Sequence, residues 1–270
     1  MPLDQAAALA WVDAGCSVIP ISDDGSKRPR GPWKAAQTVR AARDVAAAWT
    51  ATTSGLGVVC GAVSGHLEML ELEGRAVAEH YGDRLREACR DNGIEDVLDV
   101  VMHGCRSKSP SGGYHFWYRV SDGPARSNTK LARRPGAAGV EVLIETRGEG
   151  GYAVVPPSNG TTHASGLPWI LDEGGPATIP TITVEQRDAL HAVCTLLDEM
   201  PVDEAPDDSP AGTPGKITSA PGQGKRPGDD YNARASWDEI LTPHGWTKAR
   251  RCGPGWSWRR PGKDGRGISA

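Results

Sequence analysis

The spacing of apolar and polar residues along the chain predicts a mixed fold. Apolar residues that recur at helical spacing predict helices at 3–15, 41–50, 75–92 and 183–199. Short apolar or alternating stretches bounded by glycine, proline or charge predict strands at 16–21, 55–61, 66–73, 97–103, 114–120, 140–146 and 152–155. We therefore expect an α+β fold, with a central, mainly antiparallel or mixed sheet flanked by helices.

The composition changes near residue 200. Segment 201–228 is rich in Pro, Gly, Asp and Ser, which predicts a flexible linker. Segment 229–270 contains four of the nine tryptophans. Residues 221–270 hold ten Lys and Arg against five Asp and Glu, whereas residues 1–220 hold 20 against 29. We expect a large domain at 1–200, followed by the linker and a small basic unit at 229–270.

Composition narrows the class of protein. The 270 residues have a mean hydropathy of −0.43 and 38% hydrophobic content, enough for a substantial core. No apolar run is long enough to cross a bilayer, and the first residues lack the basic start of a signal peptide. The six cysteines are scattered without a CxxC pair, so neither a zinc ribbon nor a disulfide framework is indicated. We expect a protein of the reducing cytoplasm with no membrane partner.

A pair of carboxylates ends the predicted strand at 66–73. Glu71 and Glu73 are two residues apart, so their side chains point to the same side of an extended strand. Burying two like charges together is costly unless a cation lies between them, and Mg²⁺ and Mn²⁺ prefer carboxylate oxygens. The alternative is that both residues belong to the exposed face of an amphipathic strand.

Residues 106–113 predict a basic, glycine-ending loop before the aromatic strand at 114–120. Backbone N–H groups of the loop Ser111-Gly112-Gly113 could bind phosphate, and His115 adds a side-chain donor. Arg106 and Lys108 bring positive charge close by. The alternative is a glycine hairpin turn followed by an incidental histidine.

A third acidic position ends the predicted strand at 140–146. Glu145 precedes Arg147 and a glycine-rich loop, and it would complete an oxygen shell for one or two metal ions. Glu141 faces the same way at strand spacing and competes for this role.

Together these motifs resemble the primase–polymerase (prim-pol) domains of the archaeo-eukaryotic primase superfamily, as found in phages and other mobile elements. Members carry an acidic-x-acidic pair on a strand, an S/G-x-H motif after a glycine loop, and a single acid on a later strand. The matching residues are Glu71-Leu72-Glu73, Gly113-Tyr114-His115 and Glu145, and the resemblance covers roughly residues 5–172. Family members typically have aspartate at most of the acidic positions, whereas this chain has glutamate at all three.

The resemblance implies a DNA-directed nucleotidyltransferase, a primase and polymerase in the replication of a phage or mobile element. Glu71, Glu73 and Glu145 would be catalytic and would hold two ions of Mg²⁺ or Mn²⁺. The incoming NTP or dNTP would be bound by Ser111, Gly112, Gly113, His115, Arg106, Lys108 and Arg147. Lys27 and Lys34, in a basic proline-containing loop, would contact nucleotide or the single-stranded DNA template.

The basic C-terminal unit also has two interpretations. Trp256, Trp258, Arg259 and Arg260 interleave aromatic and cationic side chains, a pattern typical of single-strand nucleic-acid binding. Alternatively, the tryptophans form the only core of a small β unit. No GxxxxGK[ST] loop is present, so a replicative helicase would be a separate chain or part of a longer parent chain.

Two other functions share these residues. A metal-dependent nuclease or phosphodiesterase could use the same three carboxylates. A noncatalytic protein that binds nucleotide or nucleic acid is the other possibility, and the three glutamates favour it. Turnover of nucleoside triphosphate in the presence of metal distinguishes the alternatives.

Overall fold

We describe the protein from a computed structural model, which covers residues 3–201, 236–252, 255–259 and 261. The chain divides into two units, Met1–Glu204 and Ala205–Ala270. The predicted linker at 201–228 lies, except for residue 201, outside the described residues. None of the described helices is long and apolar enough to cross a membrane.

The first unit contains six described helices and ten described strands. The helices are α1 (Gln5–Asp13), α2 (Arg43–Thr50), α3 (Gly74–Ala78), α4 (Tyr81–Asp91), α5 (Glu95–Met102) and α6 (Val184–Thr195). The strands are β1 (Ser17–Ile21), β2 (Gly55–Val59), β3 (Leu67–Leu72), β4 (Cys105–Lys108), β5 (Tyr114–Val120), β6 (Thr129–Gly136), β7 (Gly139–Arg147), β8 (Tyr152–Val155), β9 (Ile170–Glu173) and β10 (Thr181–Ile182).

A seven-stranded sheet forms the centre of this unit. Its order is β6-β7-β3-β5-β4-β9 with antiparallel neighbours, and β10 pairs with β5 in parallel. One face packs against α4, α5 and α6, where Leu85, Leu98 and Leu190 share a core with Leu70 and Phe116. The expected α+β fold, a mixed sheet flanked by helices, is therefore confirmed.

The other face of the large sheet packs against a three-stranded antiparallel sheet of order β1-β2-β8 and against α1. Trp11 of α1 meets Trp117 of β5 edge-on at 5.3 Å, and its Nε1–H donates to the carbonyl of Pro156 at 2.9 Å. Leu67 and Met69 of β3 belong to this core. β3 is therefore apolar on both faces along most of its length, as expected of a central strand.

Three predictions of secondary structure were wrong in detail. Residues 97–102 form part of α5 rather than a strand, because Val97, Leu98 and Val101 lie on one buried helical face and Glu95 and Asp96 occupy the favourable first turn. The helix predicted at 75–92 is two helices, α3 and α4, which are separated at His80 by a left-handed backbone (φ +62°). The predicted loop around Arg106 contains strand β4.

The second unit contains a short helix and a hairpin in its described part. These elements are α7 (Trp237–Leu241), β11 (Thr247–Cys252) and β12 (Gly255–Arg259), and the two strands pair antiparallel. Ser236 and Glu239 form a capping box at the start of α7. Trp258 is only 4% exposed, and Lys248 Nζ lies 5.6 Å from the centroid of its ring.

Candidate active site

A row of polar side chains crosses the large sheet from strand to strand. Lys130 of β6 pairs with Glu145 of β7, and Glu145 pairs with Glu71 of β3. Glu71 in turn pairs with His115 of β5, and His115 with Ser107 of β4. Directly opposed residues of antiparallel strands have their side chains on the same face, about 5 Å apart. The register therefore aligns residues that are far apart in the sequence.

Glu73 joins this row from the end of β3. It is the N-cap residue of α3 and lies two residues beyond Glu71. One carboxylate oxygen from each of Glu71, Glu73 and Glu145 lies within 4.8 Å of the others. This is the only group of three potential metal-binding residues among the residues described.

Close backbone packing brings the β4–β5 turn against Glu73. A Cβ atom on Gly74 would collide with the carbonyl oxygen of Ser111, and one on Gly113 would lie 2.6 Å from that of Leu72. Side chains at these positions would separate the two segments. The glycines therefore allow the acidic segment and the turn to border the same cavity.

His115 contacts the first carboxylate directly. Its Nε2 lies 3.3 Å from Oε1 of Glu71, and the residue is 5% exposed. Its Nδ1 is buried without a hydrogen-bond partner among the described residues. A neutral ring with its hydrogen on Nε2 can donate to Glu71.

The three carboxyl groups differ in their electrostatics. Burial raises the pKa of Glu71, but His115, Arg147 and Lys27 outweigh this effect, and the net pKa lies below the ordinary value. The pKa of Glu73 is raised by burial and by repulsion from Glu71 and Glu145. Burial also raises the pKa of Glu145, although Arg147 opposes it. The cluster thus concentrates negative charge that a bound cation would neutralise.

The carboxylates border a cavity of about 270 Å³. Ser111, His115 and Arg147, which the sequence predicts as nucleotide-binding residues, also line it. Arg147 donates a hydrogen bond from Nη2 to Oε1 of Glu145. The cavity therefore combines three acids with donors from three different strands or turns.

Gly112 and Gly113 contribute to the site through the shape of the turn. Gly112 has φ +86° and its N–H donates to the carbonyl of Ser109 at 2.9 Å. The N–H of Gly113 donates to Oγ of Ser109 at 3.1 Å. Both N–H groups thus stabilise a hairpin turn between β4 and β5. This turn is the alternative that the sequence offered for the glycine loop, and His115 follows it on β5.

Arg106 and Lys108 are not brought to the cavity. They alternate with Ser107 along β4, so they lie on the opposite face of the sheet from His115. Arg106 forms ion pairs with Asp172 at 2.5 Å and Glu173 at 2.9 Å. The sequence assigned both residues to a loop, where this alternation could not be recognised.

Of the predicted nucleic-acid contacts, too, some line the cavity and others do not. Lys27 lines the cavity, whereas Lys34 is exposed at the start of a 3-10 helix and does not line it. Arg259 is half-buried, and the low exposure of Trp258 favours a role in the core of its unit. The side chain of Trp256 and all of Arg260 lie outside the described residues.

The sequence analysis did not predict several residues that line the cavity. Tyr152 begins the correctly predicted strand β8, but nothing local showed which of its side chains would reach a site. His163 and Trp169 follow in a segment without periodicity, where only a His-x-Ser-Gly turn pattern could have drawn attention. The competitor Glu141 pairs with Arg134 at 2.8 Å, outside the group of three carboxylates.

The donor set fits a hard divalent cation. Three carboxylates that converge in a partly enclosed cavity provide the oxygen ligands that Mg²⁺ and Mn²⁺ require. The additional methylene of glutamate does not prevent the oxygens from converging.

Comparison with known proteins identifies a family for this chain. Residues 8–182 match the family described as bifunctional DNA primase/polymerase, N-terminal, and this segment includes all ten strands of the first unit and the acidic cluster. A search of curated proteins found no match. Because the matched segment is more than half of the 270 residues, the chain belongs to the bifunctional DNA primase/polymerase family.

Proposed function

We propose that this protein is a DNA-directed nucleotidyltransferase that extends or initiates chains on a single-stranded DNA template. The observation that carries the proposal is the convergence of Glu71, Glu73 and Glu145 beside His115 in one cavity of a prim-pol family member. In this reaction a 3′-hydroxyl oxygen bonds to the α-phosphorus, the bond to pyrophosphate breaks, and the hydroxyl proton is released.

Glu71, Glu73 and Glu145 would hold one or two ions of Mg²⁺ or Mn²⁺. When bound, such ions favour deprotonation of the attacking hydroxyl and neutralise charge on the α-phosphate and the departing pyrophosphate. His115 orients Glu71 through the contact at 3.3 Å, and Arg147 orients Glu145. Glu71 and Glu145 are directly opposed on adjacent strands, which limits their movement before substrate binds.

The proposed substrates are NTP or dNTP and single-stranded DNA. The proposed setting is the replication of a phage or mobile element in the cytoplasm, with a replicative helicase as partner. Family membership supports the nucleotide and DNA substrates. The described cysteines are buried free thiols, as a reducing compartment favours.

The decisive experiment measures nucleotide incorporation on single-stranded DNA with Mg²⁺ or Mn²⁺. We expect metal-dependent product from the intact chain and a loss of at least about a hundredfold in the double variant Glu71→Gln/Glu73→Gln, because the ligand charge is removed while side-chain volume is kept. Glu145→Gln should behave in the same way. The matched control is Glu141→Gln, which changes a carboxylate of the same strand that pairs with Arg134 and should retain activity.

The same assay contains the outcomes that contradict the proposal. Degradation of the template by the intact chain, abolished in the double variant, would identify a nuclease. Binding of single-stranded DNA without product from any variant would identify a noncatalytic protein. Equal activity of all variants would exclude the acidic cluster as the active site.

A further inference from the structure

Two loops outside the large sheet form part of the cavity wall. They are segment 22–28, which follows β1, and segment 159–169, which follows β8, and we call them the loop pair. They are joined by a backbone bridge between Ser26 and His163 and by a hydrogen bond from Gly25 N–H to the Thr161 carbonyl at 2.9 Å. Lys27 and His163, both of which line the cavity, are therefore held next to this junction.

Lys27 has an uncommon backbone conformation. Its φ is +62°, a left-handed value that costs a residue other than glycine about 1 kcal/mol or more. The hydroxyl of Tyr152 donates to the Lys27 carbonyl at 3.1 Å, and the bridge from Ser26 holds the preceding residue. Strained residues that are held in this way occur preferentially at functional sites.

Lys27 is also distinguished by its charge environment. The described cavity wall contains two basic residues of the Lys and Arg type, Lys27 and Arg147. Arg147 is engaged by Glu145, whereas no described carboxylate forms an ion pair with Lys27. Lys27 acts on Glu71 and Glu73 only at longer range, so an anionic ligand of this cavity would meet an ammonium group that is not held in an ion pair.

His163 provides a second donor of defined tautomer. The Ser165 N–H donates to Nδ1 of His163 at 3.0 Å, so Nδ1 carries the lone pair and the hydrogen of the neutral ring is on Nε2. Burial and the nearby Lys27 lower the pKa of His163, which favours the neutral ring. Trp169 is buried and meets the imidazole edge-on at 5.6 Å and 82°, which restricts the ring orientation.

We propose that Lys27 and His163 bind the β- and γ-phosphates of the incoming nucleoside triphosphate, an inference that rests on the proposed nucleotidyltransferase function. A triphosphate that enters a cavity with three carboxylates requires cationic and N–H donors. Arg106 and Lys108 lie on the other face of the sheet, and the N–H groups of Gly112 and Gly113 donate within their own turn. Lys27 and His163 of the loop pair could provide the phosphate-binding donors that these four residues do not.

The competing assignment is that Lys27 contacts the phosphate backbone of the template. Template binding would depend on Lys27 regardless of the nucleotide present, whereas binding of the phosphate tail would depend on the number of phosphates in the nucleotide. A comparison of mono-, di- and triphosphates therefore separates the two assignments.

The test measures equilibrium binding of dNMP, dNDP and dNTP, and separately of single-stranded DNA, to the full chain with Mg²⁺. The variants are Lys27→Ala and His163→Phe, where phenylalanine keeps a ring against Trp169 but removes the donor. The controls are Arg43→Ala, which removes an exposed cation paired with Asp13, and His103→Phe, at the surface beside Glu173. Thermal unfolding of each variant checks that the fold is retained.

We expect each variant to bind dNTP about ten- to a hundredfold more weakly, because each loses a charge-assisted hydrogen bond. Affinity for dNMP and for single-stranded DNA should stay within about threefold of the unmodified protein. Both controls should bind all ligands normally. This pattern would support the assignment to the phosphate tail.

Other outcomes overturn the inference in distinguishable ways. Equal losses for dNMP and dNTP, or unchanged dNTP binding with weakened DNA binding, would contradict the assignment to the phosphate tail while leaving the proposed function intact. Normal dNTP binding by folded Lys27→Ala and His163→Phe variants would also contradict the assignment to the phosphate tail and leave the proposed function intact. Failure of the folded, unmodified protein to bind any nucleotide would overturn the proposed function and this inference together.

Discussion

At the scale of single residues, the absence of a side chain at Gly74 allows the acidic segment to approach the β4–β5 turn closely. Any side chain at Gly74 would meet the carbonyl of Ser111, which belongs to the turn that borders the cavity. We predict that Gly74→Ala lowers the free energy of unfolding by about 1–3 kcal/mol, because backbone must shift to accommodate the methyl group. Nucleotide incorporation should fall as well, since Glu73 immediately precedes this position. Denaturant unfolding and the incorporation assay measure the two effects.

A second glycine provides the matched control. Gly82 lies inside α4, where an added Cβ would be 3.7 Å from Leu72 Cδ2, an ordinary contact. Gly82→Ala should therefore leave activity unchanged and stabilise the protein by up to about 1 kcal/mol through helix propensity. Equal effects of the two substitutions would show that the contact of Gly74 with the turn is unimportant.

At the scale of elements, a buried ion pair joins α6 to β3 on the face opposite the cavity. Arg187 Nη1 lies 2.7 Å from Oε1 of Glu68, and the side chains are 4% and 1% exposed. Glu68 also accepts from the hydroxyl of Tyr118 at 2.9 Å and from the Arg126 N–H at 2.7 Å. Three separate segments of the chain therefore meet at this one carboxylate, three residues before Glu71.

Removing one partner of this pair should be strongly destabilising. We predict that Arg187→Met lowers the free energy of unfolding by about 3–5 kcal/mol, because the Glu68 carboxylate remains buried without its cation. The double variant Glu68→Gln/Arg187→Met should recover part of this loss. Arg43→Ala, which breaks an exposed pair with Asp13, is the control and should have little effect in the same urea titration. A similar small effect of Arg187→Met would contradict the proposed role of the pair.

At the scale of the whole molecule, a buried histidine makes stability depend on pH. His191 is 2% exposed, its Nε2 lies 2.8 Å from the Tyr118 hydroxyl, and its buried Nδ1 has no described acceptor for a second proton. Burial, together with Arg187 and Arg126, lowers the pKa of His191 to about 4. The unfolded chain gains a proton as the pH falls through about 6.5, whereas the folded chain does not until about pH 4.

The free energy of unfolding should therefore decrease as the pH falls from about 6.5 towards 4, at up to about 1.4 kcal/mol per pH unit from this group. His191→Gln keeps an N–H donor for Tyr118 and removes the titration. We predict that this variant loses up to about 2 kcal/mol less than the unmodified protein between pH 7 and pH 5. Urea unfolding at the two pH values gives the comparison, and parallel pH dependences would rule out His191 as the source.

Much of the architecture was predictable because periodicity and turn chemistry are local properties. The fold class, all three strands of the small sheet, three of the seven strands of the large sheet (β3, β5 and β7), and the acidic and histidine motifs follow from residues close together in the sequence. The strand predicted at 97–103 failed because a short apolar run has the same composition in a buried helix as in a buried strand. In α5 the surrounding helices and sheet determine which conformation buries Leu98 and Val101.

The sequence by itself determined which side chains were available for chemistry, and tertiary structure decided which of them meet. Strand register aligned Glu71, Glu145 and His115 and left Glu141 with Arg134. Successive side chains of a strand alternate between its two faces. Because Ser107 of β4 is on the cavity face, Arg106 and Lys108 lie on the opposite face. Lys27 and His163 reached the cavity through a bridge between loops that are more than a hundred residues apart. No local pattern encodes such a contact, since its energy depends on segments that come together only in the folded chain.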